Sequence, residues 1–124
     1  MKKNVLIIER NTETALYYEK TLRSGGYEIQ QVTSDIELLK YEFIVPDVFI
    51  IGSRFLNLNA VEICQHLRAN PLTKNIPIVI VSGILEIEVL ASHCAATAFI
   101  EKPFIPDKFR TTIRQCLQGE ENKE

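Results

Sequence analysis

Hydrophobic positions fall in short unbroken runs separated by polar stretches with helical spacing. The longest-buried candidate is Val48-Phe49-Ile50-Ile51, entered through Pro46-Asp47 and left through Gly52-Ser53. Four apolar residues in a row, with no alternation, suit a strand covered on both faces. Val5-Leu6-Ile7-Ile8 and Ile78-Val79-Ile80-Val81 have the same character. Tyr27–Val32 and Thr97–Ile100 read as two further strands.

Between the runs lie helix signals. Asn11 is placed to cap a helix over Thr12–Arg23, with Tyr17, Tyr18 and Leu22 as its apolar surface. Ser24-Gly25-Gly26 stops it. Ser34 with Glu37 fits a capping box opening a short helix through Leu39, and Asn59 with Glu62 marks another helix start. Val61, Cys64 and Leu67 or Arg68 continue that helix to Asn70-Pro71. A fourth helix is expected over Leu85–Cys94, and Pro106 opens a fifth running to about Leu117. Five strands alternating with five helices predict an α/β fold with a parallel sheet covered on both faces. Periodicity leaves open which of the two common doubly wound strand orders is adopted.

Composition narrows the function classes. The 124 residues carry a formal charge of −2, which gives no reason to expect nucleic acid or an anionic membrane as partner. No apolar stretch is long enough to span a bilayer, and Met1-Lys2-Lys3 precedes too short a run for a secretory signal. Cys64, Cys94 and Cys116 form no Cys-x-x-Cys pair and read as reduced, buried thiols. A cytoplasmic protein is expected, with residues 1–118 as one domain and 119–124 as a flexible charged tail. No phosphate loop, nucleophile elbow or Cys–His signature points to an enzyme, and no cofactor or metal is expected. His66 and His93 sit on separate segments, with His66 expected on the exposed side of its helix.

Five stretches in this order carry a resemblance. They are Lys3–Ile8, Gly26-Tyr27-Glu28, Pro46–Ile51, Asn75–Gly83 and Ala98–Phe104. The chain resembles the receiver domain of two-component response regulators, the CheY-like family, over nearly its whole length. The resemblance implies a doubly wound, flavodoxin-like five-stranded parallel sheet in the order 2-1-3-4-5, with a phosphorylation pocket at its carboxyl edge. It further implies a cis peptide at Lys102-Pro103.

In that family two acidic residues after the first strand bind Mg²⁺ together with a phosphoacceptor aspartate ending the third. Carried across, the acidic pair falls on Glu9 and Arg10, and the acceptor falls on Gly52. The hydroxyl position falls on Ser82, the lysine on Lys102 and the switch aromatic on Phe99. One carboxylate then faces two cations, a poor start for Mg²⁺, which usually takes one or two carboxylates plus phosphate or water. Ser53 points to the opposite face of the strand, and Asp47 lies roughly 16 Å away at about 3.3 Å per residue. A degenerate pocket is expected, in which Glu9 pairs with Lys102. The alternative is a small-anion or nucleotide-phosphate site built from Arg10, Lys102 and Ser82.

The partner expected from the resemblance is a signalling protein, with no nucleic acid and no membrane. Docking or homodimer formation would use the face made by the fourth helix, fifth strand and fifth helix. Leu85 and Val89 stand at i and i+4 on the outer side of the fourth helix with His93 one turn on, marking a candidate interface.

Overall fold

The structure, a computed structural model, describes residues 2–52, 54–55, 57–83, 93 and 95–121. Strands β1 (Asn4–Ile8), β2 (Glu28–Gln31), β3 (Val48–Gly52), β6 (Ile78–Gly83) and β7 (Ala98–Lys102) form one parallel sheet. Its order is β2-β1-β3-β6-β7, which is 2-1-3-4-5 when the strands of this sheet alone are counted. Helices α1 (Thr12–Arg23), α2 (Asp35–Leu39), α3 (Ala60–Arg68) and α4 (Pro106–Glu121) are its coverings. The helix expected over 85–94 lies outside the described residues apart from His93, so four helices are described where five were expected.

Burial follows strand position. The three inner strands β1, β3 and β6 bury nearly every residue, while β2 and β7 at the edges are only partly covered. Successive side chains alternate between faces, so each inner strand feeds two cores. Val5, Ile7, Val48, Ile50, Val79 and Val81 pack under α1 and α4 with Tyr18, Leu22, Phe109 and Ile113. Leu6, Ile8, Phe49, Ile51, Ile78 and Ile80 pack under α2 and α3 with Leu38, Ile63 and Leu67. Cys64 and Cys116 are buried and form no disulfide, and burial pushes the Cys116 thiol pKa up.

Local signals act as expected at two helix starts. Asn11 Oδ1 accepts from Thr14 N at 2.9 Å, and Asn59 and Glu62 close a full capping box. At α2 the box is altered. Ser34 Oγ accepts from Glu37 N, but Glu37 reaches past Ser34 to the Thr33 backbone N–H at 2.9 Å.

Four expectations need correction. The described residues form seven strands where five were expected: β4 (Arg54–Phe55) and β5 (Leu58–Asn59) pair antiparallel, each too short to leave a periodic trace. Helix α4 runs to Glu121, past the end expected near Leu117. Tyr17 is 41% exposed rather than part of the core, since only Tyr18 of the pair faces the sheet. His66 is half-buried rather than exposed: its ring stacks on Tyr41 at 4.3 Å and Nε2 lies 3.1 Å from Leu38 O.

Candidate functional site

The carboxyl ends of the parallel strands meet at one edge, where open α/β sheets place their ligands. Parallel register sets Ile8 beside Ile51, Gly52 beside Val81, and Gly83 beside Lys102. Glu9 therefore leaves β1 next to the end of β3, and Ser82 and Lys102 stand on the adjoining strands.

Gly52 defines the floor of the site. A Cβ placed on it would lie 2.5 Å from Glu9 Oε1 and 3.1 Å from Glu9 Cδ. The Glu9 carboxylate thus occupies the volume that any side chain at residue 52 would need. Its Oε2 accepts from Asn11 N at 2.9 Å, which holds the side chain folded back over the strand end. Its Oε1 is buried without a hydrogen-bond partner. Leaving such an acceptor unsatisfied costs about 1–3 kcal/mol.

The expected Glu9–Lys102 ion pair is not formed. The ion pairs found among the described residues are Glu19–Arg23 and Asp107–Arg110. Lys102 is exposed and keeps its hydration, while the Glu9 carboxylate turns inward over Gly52. Arg10 is exposed as well. Ser82 is buried, and Phe99 is half-buried against the α2/α3-side core. The Lys102-Pro103 peptide is cis. Asp47 lies at the opposite end of β3, where its Oδ2 accepts from Asn4 N at 2.7 Å. Among the described residues, no group of three or more His, Cys, Asp or Glu side chains is gathered to hold a metal ion.

A second buried polar atom without a partner lies in the core on the α1 side. Tyr18 Oη has no hydrogen bond, and burial, followed by the negative charge of Glu9, pushes its pKa well up. Tyr18 sits in an aromatic cluster, stacked on Phe109 at 5.0 Å and near Phe104 at 6.3 Å. Of the candidate interface, His93 is exposed in a turn, and Leu85 and Val89 lie outside the described residues.

Two residues that hold neighbouring segments were not legible beforehand. Arg68 donates to the carbonyls of Lys74, Ile76 and Ala95, and Tyr41 donates to His66 O at 2.6 Å. Neither partner set has a sequence signal, because both consist of backbone carbonyls on other segments.

No family model matches the chain. It is 24% identical over 124 residues to the alkaline phosphatase synthesis transcriptional regulatory protein PhoP of Bacillus subtilis, covering 98% of this chain and 51% of that one. The chain spans about half the length of the curated relatives it matches. A putative response regulator from Chloroflexus aurantiacus has the same fold with a TM-score of 0.85 and 25% identity, covering 95% of this chain and 99% of that one. The receiver domain of a sensor histidine kinase from Pseudomonas aeruginosa, solved with magnesium in its active-site cleft, also superposes with a TM-score of 0.85. It is 18% identical, over 95% of this chain and 99% of that one. Among the described residues, no helix is long and apolar enough to cross a membrane. Likeness along the whole sequence and a shared fold together support a receiver (CheY-like) domain of the response-regulator kind.

Proposed function

We propose that this receiver domain acts in two-component signalling as a protein-interaction module that does not depend on phosphorylation. The observation that carries the reading is the Glu9 carboxylate seated over Gly52, 2.5 Å from where a Cβ would be. Residue 52 supplies no carboxylate to accept a phosphoryl group, and the space for one is already filled. The remaining carboxylate faces inward, with one oxygen engaged by Asn11 N, so it is not presented to a hydrated Mg²⁺. Receivers that are phosphorylated shift a pre-existing equilibrium between states. Without that input, the domain is held in one state or is moved by a partner. The docking face is the surface around β7 and α4, including exposed His93, and a homodimer is one use of it. Incubation with acetyl phosphate and Mg²⁺, followed by intact-protein mass spectrometry, tests the reading. No phosphoryl adduct is expected; an adduct that depends on Mg²⁺ would overturn it.

A second reading is a small-anion or nucleotide-phosphate sensor at Arg10 and Lys102. It is favoured by one observation: both cations are exposed and neither pairs with a carboxylate among the described residues. Inorganic phosphate titrated into the labelled protein should move the amides of Arg10, Ser82 and Lys102. Unmoved resonances would remove it.

A further inference from the structure

An open cleft of about 710 Å³ lies between the start of α1 and the turn after β7, and the readings above give it no role. Its volume falls in the range of small-molecule sites, which are largely apolar with a few placed polar groups. Tyr17, Tyr18 and Phe104 supply the apolar walls. Phe104 is backed by Phe109, stacked at 5.4 Å, and Phe109 in turn stacks on Tyr18 at 5.0 Å, so the walls are held from behind. Tyr17 stands 6.2 Å from Phe104 and is 41% exposed, leaving an aromatic surface open to a ligand.

Two charged groups stand on opposite walls of the cleft. Lys102 lines the cleft, is exposed, and pairs with no carboxylate among the described residues. Asn11 and Glu13 are on the other wall, so one acid opposes one base. Tyr18, which is 1% exposed, lines the cleft while its Oη lacks a hydrogen-bond partner. Lys102 gives an anionic group of a ligand a partner on its own wall, across the cleft from Glu13. Aromatic rings favour a planar body, for which offset stacking adds to simple burial.

We propose that this cleft binds a small aromatic anion, with its ring against Tyr17 and Phe104 and its anionic group at Lys102. The inference shares Lys102 with the anion-sensor reading but stands on the aromatic walls rather than on Arg10. An aromatic carboxylate and a nucleoside monophosphate have this chemistry in common, and the test separates them.

The full chain, labelled with ¹⁵N, is titrated separately with 4-hydroxybenzoate and adenosine monophosphate. Inorganic phosphate and adenosine serve as the two halves of the ligand. Saturable shifts at Asn11, Thr14, Tyr17 and Phe104 are expected with one of the aromatic anions, and which one responds names the source. Each half should bind at least about tenfold more weakly, a loss of about 1.4 kcal/mol. Tyr17→Ala and Lys102→Met, both at exposed positions, should each weaken binding, while Arg10→Ala should leave it unchanged. Absence of shifts with both aromatic anions at millimolar concentration would overturn the proposal. So would phosphate binding as tightly as the monophosphate and losing its site in Arg10→Ala, which would favour the anion-sensor reading instead.

Discussion

Glu9 and Gly52 share one volume: the carboxylate of the first fills the space above the α-carbon of the second, with Oε1 2.5 Å from the position of a Cβ. The close atom is the end of a flexible side chain, so a small residue at 52 can push it aside. Gly52→Ala should therefore fold, losing the Glu9–Asn11 hydrogen bond at a cost of about 0.5–1.5 kcal/mol. Gly52→Asp sets two carboxylates against each other and should be less stable than Gly52→Ala by about 1 kcal/mol or more at neutral pH. Glu9→Gln in the Gly52→Asp background should recover most of that difference. Urea denaturation of the four proteins measures this, and equal midpoints for the alanine and aspartate variants would show that the two side chains do not compete.

Tyr41 ties α2 to α3. Its backbone has φ of 56°, in the left-handed region that non-glycine residues rarely adopt, and its hydroxyl donates to His66 O at 2.6 Å. Tyr41→Phe keeps the stack on His66 but removes the donor, and should cost about 1 kcal/mol. His66→Ala removes both the stack and the contact to Leu38 O, and should cost more. Chemical denaturation ranks the two; a Tyr41→Phe variant as stable as the parent would remove the hydrogen bond from the account.

Arg68 gathers three carbonyls with one guanidinium: Ala95 at 3.1 Å, Lys74 at 2.9 Å and Ile76 at 2.7 Å. A planar fork can donate in several directions, which a lysine ammonium at the end of its stem cannot reproduce here. Arg68→Lys should destabilise the domain by about 1–3 kcal/mol despite keeping the charge. Amide exchange should quicken first around residues 74–76 and 95–97. Uniform acceleration throughout the domain would argue against this local role.

Glu37 confers a pH dependence on the start of α2. Its carboxylate accepts from the Thr33 backbone N–H and hydroxyl, which hold its pKa below the usual carboxylate range. A depressed pKa in the folded state means the contribution is present above the unfolded value, and is lost as pH falls through the folded one. Protection of the Thr33 amide should thus decline below about pH 4, and Glu37→Gln should abolish that pH dependence. Thr33 protection that stays constant to low pH in the parent would contradict the assignment.

Helix starts and buried strands could be read directly. Asn11, Asn59 and Glu62 act on backbone groups within one turn, so their effect depends only on neighbouring residues. The inner strands announced themselves because a parallel sheet covered on both faces requires unbroken apolar runs. The strand order came from resemblance, since periodicity says which face is buried but not which strand lies alongside. The same limit explains the miss at Glu9. The chemistry of Glu9, Gly52 and Lys102 was visible as a loss of carboxylates, and a Glu9–Lys102 pair followed from charge alone. Only the register that puts Ile8 beside Ile51 brings Glu9 over Gly52, and only then is filling that volume an alternative to pairing with an exposed lysine. Short-range capping and burial patterns are written locally, whereas the occupant of a pocket is chosen by competition among groups that the folded sheet brings together.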